Sequence, residues 1–132
     1  MDTAAVGVDT HELDGVVVAR LRGPLTAQTA PPVRDTLLPL LTRRGPWLVV
    51  DGSGVEQLDA VGAQVLVTLA RRAELLDGAL RLAGCRPSVL AVLRGLPLER
   101  HLPVSDTVAE AVEALDPLGE LAELAALDAP GV

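Results

Sequence analysis

Residues 47–62 read WLVVDGSGVEQLDAVG, and this stretch decides the fold. Trp47-Leu48-Val49-Val50 is a continuous apolar run between Gly45-Pro46 and Asp51-Gly52, the pattern of a short strand buried on both faces and therefore central in a sheet. Asp51-Gly52-Ser53-Gly54 reads as a plain turn, and Ser53 to Leu58 as a loop. After it the spacing changes: Val65, Leu66, Leu69, Ala73 and Leu76 mark one face of an amphipathic helix, with Asp59 placed to cap its start and Gly78 just beyond its end. A buried strand followed by a helix predicts a mostly parallel sheet with crossover helices, an α/β fold.

The flanking sequence agrees. Val6 and Val8 suit a short strand that turns at Asp14-Gly15, a strong hairpin signal, into a second strand over Val16 to Arg22 that stops at Gly23-Pro24. From Thr29, a candidate cap, Val33, Leu37, Leu40 and Leu41 recur at helical spacing. Pro31 and Pro32 fall in that helix's first turn, and Pro39 is expected to kink or shorten it. Downstream, Ala79 to Cys85 predicts another strand, and Pro87, Val89, Val92 and Leu93 a short helix that Gly95 ends in a left-handed conformation. Leu102 to Val104 predicts a last strand, placed at the sheet's edge or ended at Pro103, which has no amide to donate. Thr107-Val108-Ala109-Glu110 has capping-box spacing ahead of the stripe Val108, Ala111, Val112 and Leu115. Residues 1–115 thus form one domain. Residues 116–132 form a tail rich in Leu and Ala, read as a short appended helix or as disordered chain.

Composition narrows the functions. The 132 residues are 49% hydrophobic, yet Trp47 is the one aromatic residue, so the core is aliphatic and no stacking platform for single-stranded nucleic acid exists. A formal net charge of −7 also disfavours a phosphate backbone as partner. All 11 cations are arginine. Without lysine, P-loop and Schiff-base chemistry are excluded. The one cysteine, Cys85, makes neither an internal disulfide nor a thiolate metal site and suits a reducing compartment, so the cytoplasm is expected. No apolar run reaches the length of a membrane span, and the N-terminus lacks a signal-peptide pattern.

No constellation for catalysis stands out. His11 and His101 have no carboxylate or cysteine at ligand spacing, so they read as structural and no metal is expected. Asp51 closes a strand as a receiver's phosphoacceptor does, but Arg20-Leu21-Arg22 replaces the acidic metal ligands and the lysine is missing. Asp51-Gly52-Ser53-Gly54 is no nucleophile elbow. Glu56 and Asp59 read as solvated or capping groups rather than an acid/base pair. Ser53 and Ser88 read as local hydrogen-bonding residues rather than modification sites. A non-enzyme without cofactors follows.

The order of parts resembles the STAS domain family: the hairpin, Gly23-Pro24-Leu25-Thr26, a helix, Leu48 to Val55, Leu58-Asp59-Ala60-Val61-Gly62, then Gly95-Leu96-Pro97-Leu98 and Asp106 to Ala111. That family includes anti-sigma-factor antagonists, stressosome subunits, and transporter-associated domains. The resemblance implies a single domain with a four- or five-stranded mixed sheet, about four helices largely on one side, and a partner-binding surface at Asp59, Ala60, Val61, Gly62 and Thr26. In antagonists switched by phosphorylation this segment reads Asp-Ser-Ser-Gly or Asp-Ser-Thr-Gly, and an anti-sigma kinase modifies a hydroxyl in it. Ala60 and Val61 occupy the hydroxyl positions here, so no phosphorylation is expected there and the charge switch is missing.

Two functional readings stay open from the sequence, besides small-ligand or nucleotide binding in a crevice at the strand ends, for which there is no phosphate-binding glycine loop. One is an antagonist-like regulator that docks, permanently competent, onto an anti-sigma factor of the serine-kinase type. The other is an accessory subunit of a lipid or anion transporter, or a stressosome-like scaffold. Without the resemblance, Asp59 to Gly62 is an ordinary helix start. The tail leucines Leu118, Leu121 and Leu124 leave homodimerisation open.

Overall fold

The computed structural model describes residues 7–97 and 102–115. Val6, Leu98, His101 and the tail from 116 onward, each given a role above, lie outside the described residues.

The strands are β1 (Gly7–Leu13), β2 (Val16–Arg22), β3 (Trp47–Gly54), β4 (Ala79–Ala83) and β5 (Val104–Ser105), and the helices are α1 (Ala30–Arg43), α2 (Ala60–Leu75), α3 (Pro87–Arg94) and α4 (Val108–Leu115). They form one five-stranded mixed sheet in the order β1-β2-β3-β4-β5. β1 and β2 pair antiparallel, and the remaining pairs are parallel. Asp14 and Gly15 adopt left-handed φ values of 51° and 83°. Such a pair matches the twist of a two-residue hairpin, which fixes the register Leu13↔Val16 through Gly7↔Arg22. β5 is an edge strand, but it covers Val104–Ser105 rather than Leu102 to Val104, and Pro103 lies just before it with its carbonyl accepting the Leu82 N–H at 2.9 Å.

The sheet buries both faces because the crossover helices α1, α2 and α3 cover one and α4, which follows β5, covers the other. Val17, Ala19, Leu21, Leu48, Val50, Leu80 and Leu82 pack with residues of α1, α2 and α3 in the larger cluster. Val16, Val18, Val49 and Ala83 pack on the other face with Ala111 and Val112 of α4. Three helices on one side and one on the other match the expected arrangement. Leu37 and Leu69 are fully buried, each a contribution of roughly 2 kcal/mol by area.

Four local expectations need correction. Asp51-Gly52-Ser53-Gly54 is not a turn, because β3 continues to Gly54. Its glycines serve close packing: a Cβ at Gly54 would lie 2.6 Å from the Leu21 carbonyl oxygen, and one at Gly52 2.9 Å from Cys85 Sγ. Pro39 does not shorten α1, which runs to Arg43. Pro39 is exposed, so water can serve the carbonyl whose donor it removes. Thr29 occupies the N-cap position of α1 without a side-chain cap bond. Its hydroxyl instead donates to the Pro24 carbonyl at 2.7 Å and accepts from the Thr26 N–H at 2.8 Å, closing the preceding loop. Gly95 keeps a right-handed φ of −79°, because the chain makes one more turn in which the Leu96 N–H donates to the Leu93 carbonyl. Gly78 lies just beyond the end of α2 as expected, and the left-handed residue there is Asp77, φ 67°. Gly78 is there because a Cβ would meet the Pro46 carbonyl oxygen at 1.9 Å.

Candidate functional site

The expected surface is assembled by a contact between two segments distant in sequence. Leu25, after β2, forms an isolated parallel bridge with Leu58, just before α2. The Leu25 N–H donates to the Gln57 carbonyl at 2.8 Å, and the Asp59 N–H donates to the Leu25 carbonyl at 3.3 Å. Both leucines are buried, so apolar packing and a short two-stranded pairing together hold the Thr26 loop against the start of α2.

Asp59 ties the junction. It is the N-cap of α2 in extended backbone, and its Oδ1 accepts the Gly62 N–H at 2.8 Å, satisfying one of the free donors of the first turn. Its Oδ2 accepts the Ala27 N–H at 2.9 Å. Both carboxylate oxygens therefore serve the backbone. The Gly62 bond is the main cause holding the carboxyl below its ordinary range; desolvation opposes it, and the Ala27 bond adds to it. Gly62 is buried, and a Cβ there would stand 2.1 Å from the Leu25 carbonyl oxygen. The glycine is thus a requirement of the close approach between the loop and α2.

The five expected site residues are brought together, but not all at the surface. Thr26 is half-buried, and its carbonyl accepts the Thr29 and Ala30 N–H groups at 3.0 and 2.7 Å, so its backbone is spent on starting α1. Ala60 and Val61 are exposed on the first turn of α2, and Val61 at 43% is one of the large apolar side chains the fold leaves to solvent. The outward face is apolar, and no hydroxyl stands in the turn formed by Asp59, Ala60, Val61 and Gly62. Sequence reasoning missed Ala27, Leu25 and Gln57, which act through backbone groups and carry no side-chain signature; the Leu25-Thr26 segment was the available pointer.

The other polar positions take structural roles. The Ser53 N–H donates to Asp51 Oδ1 at 3.0 Å, and the Ser53 carbonyl accepts Arg86 Nε at 3.0 Å. Ser88 and His11 are exposed. Thr107 Oγ1 accepts the Glu110 N–H at 3.1 Å, the cap expected for α4. Among the described residues no cluster of His, Cys, Asp and Glu has the makings of a metal site, and no helix is long and apolar enough to cross a membrane.

The sequence matches the STAS domain over residues 7–111, and the chain belongs to that family. Its fold is similar to that of an anti-sigma factor antagonist from Mycobacterium paratuberculosis, with 23% identity over 83% of this chain and 93% of that one and a TM-score of 0.74. A putative anti-sigma factor antagonist from Thermotoga maritima gives 21% identity over 82% and 93% and a TM-score of 0.73. A variant of RsbS from Moorella thermoacetica gives 29% identity over 85% and 97% and a TM-score of 0.69.

Proposed function

We propose that the chain is a non-catalytic regulatory module that acts in the cytoplasm by docking the entrance of α2 onto an anti-sigma factor of the serine-kinase type, without a phosphorylation switch at that entrance. The observation that carries this reading is the exposed pair Ala60 and Val61 on a first turn whose cap, Asp59, is fully engaged by the chain's own backbone. A small apolar knob on a rigid mount loses little entropy on binding and desolvates cheaply, which suits a protein surface rather than a polar small molecule. The solved structures it is similar to include proteins named as anti-sigma factor antagonists, which supports the choice of partner class.

Calorimetric titration with the anti-sigma factors of the same genome tests the reading. One of them should bind, Val61→Asp should weaken that binding at least about tenfold by placing a charge in an apolar contact, and ATP should leave the wild-type complex intact. Val61→Ser restores a hydroxyl at the entrance, and phosphorylation of this variant should then release it from the same partner. Binding to none of them, or to a transporter permease instead, overturns the proposal.

A further inference from the structure

The face of α1 and α2 turned away from the sheet holds a second surface that the entrance of α2 does not use. Between the C-terminal halves of the two helices runs an open groove of about 580 Å³. Leu38, Pro39 and Leu75 give it apolar walls, Thr68 lines it, and Arg71 and Arg72 stand on its rim, with no carboxylate among the lining residues. Leu75 is 76% exposed, the most exposed of the large apolar side chains among the described residues. Along α2 the groove residues Thr68 to Leu75 lie about 14 to 24 Å from Asp59.

The sequence contains a segment of complementary chemistry. Residues 117–127 place Leu118, Leu121, Leu124 and Ala125 at helical spacing, and residues 116–132 carry Asp116, Glu120, Glu123 and Asp128 with no arginine. An acidic stretch with leucines on one side is what a groove with apolar walls and an arginine rim selects.

Reach decides which copy supplies it. Leu115, the last residue before the tail, packs on the sheet face opposite α1 and α2. Helix layers on the two sides of a sheet stand about 20 Å apart, and the groove is on the outer surface of its layer. The steps from Leu115 to Leu118 span at most about 11 Å. Leu118 therefore cannot enter its own chain's groove, and a helix that begins there cannot lay Leu118, Leu121 and Leu124 together along it. Leu115 and the groove are nevertheless at the same end of the molecule: α1 ends at Arg43 shortly before Trp47, and Trp47 and Leu115 join the same cluster. Two copies meeting at this end can each offer a tail to the other, a reciprocal contact of the kind that closes a twofold dimer.

We propose that the α1–α2 groove binds residues 117–127 of a second copy, making a reciprocal dimer that leaves the Asp59 entrance of each copy free. Sedimentation equilibrium on the full chain tests this. A concentration-dependent dimer is expected, weakened at least about tenfold between about 0.05 M and about 0.5 M salt, because the arginine rim faces an acidic segment. Full-length Leu121→Glu and full-length Arg71→Glu with Arg72→Glu should each be monomeric, with circular dichroism and urea midpoints like wild type. An equimolar mixture of the two should regain a one-to-one dimer, weaker than wild type, since it pairs one intact groove with one intact tail. Binding of both variants through Val61 should be unchanged, so this proposal and the entrance reading fail separately. A wild-type monomer at all concentrations, dimers in which the substitutions change nothing, or a mixture that stays monomeric would overturn it.

Discussion

Asp59 Oδ2 accepts the backbone N–H of Ala27 at 2.9 Å, joining the loop after β2 to the first residue of the α2 cap across 32 positions of sequence. The same side chain closes the first turn of α2 through Gly62. One carboxylate therefore fixes both the helix and the loop that shapes the surface beside it, so under the proposed function a substitution at Asp59 acts on stability and on docking together.

Replacing Asp59 with Ala removes both acceptors and leaves the Gly62 and Ala27 N–H groups to water. The loss expected is about 2 kcal/mol, the upper part of the range for a helix cap because a second bond goes with it. Asp59→Asn keeps one acceptor and puts an amide donor against the other N–H, so an intermediate loss is expected. Urea denaturation measures both; an Ala variant as stable as wild type would show that the carboxylate holds nothing.

The lowered pKa of Asp59 makes part of the stability depend on pH. The folded state favours the ionised form through the Gly62 N–H first and the Ala27 N–H after it, against some desolvation. This contribution is fully present above the ordinary carboxyl value of 3.8 and is lost as pH falls through the lower folded value. Wild type minus Asp59→Asn, followed by urea midpoints from neutral pH downward, should therefore shrink only in the acid range. A difference that grows on acidification contradicts the assignment.

Gly62→Ala inverts the usual rule for helices. An exposed helical Gly→Ala change stabilises by roughly 0.5–1 kcal/mol. Here the added Cβ meets the Leu25 carbonyl oxygen at 2.1 Å, so the loop must move away from α2. A loss of more than about 2 kcal/mol is expected, together with weaker docking at the entrance, because strain of this kind is relieved only by backbone shifts. Thermal unfolding and the calorimetric titration read the two effects separately.

The sequence made the elements legible where one local rule dominated. Asp14-Gly15 announced its hairpin because two left-handed residues permit little else, and Thr107 with Glu110 announced a cap because both partners lie within one turn. It failed where a glycine served a distant neighbour. Gly52 and Gly54 looked like a turn, yet they sit inside β3 because Cys85 and the Leu21 carbonyl press against them. At the candidate site, Asp59, Ala60, Val61 and Gly62 were singled out by the order of motifs. The Leu25 and Leu58 bridge that couples them to Thr26 was hidden, because parallel pairing between distant segments leaves no periodic trace.

Gly52 and Cys85 supply the sharpest test of that distinction. Burial first, and the Asp51 carboxylate second, push the Cys85 thiol up to about 11, so at neutral pH it is protonated and should react with disulfide reagents far more slowly than in urea. A Cβ at Gly52 would lie 2.9 Å from its Sγ, while the next contacts stand at 3.8 Å. Gly52→Ala alone should then destabilise by about 1–2 kcal/mol through overpacking. In a Cys85→Ala background the sulfur is gone, and the same change should cost nothing or stabilise, since alanine is less flexible than glycine in an unfolded chain. The double-mutant cycle should show a coupling above about 1 kcal/mol. Additive effects would mean that Gly52 is kept for its backbone conformation, and that the turn first read from Asp51-Gly52 describes the constraint better than the packing does.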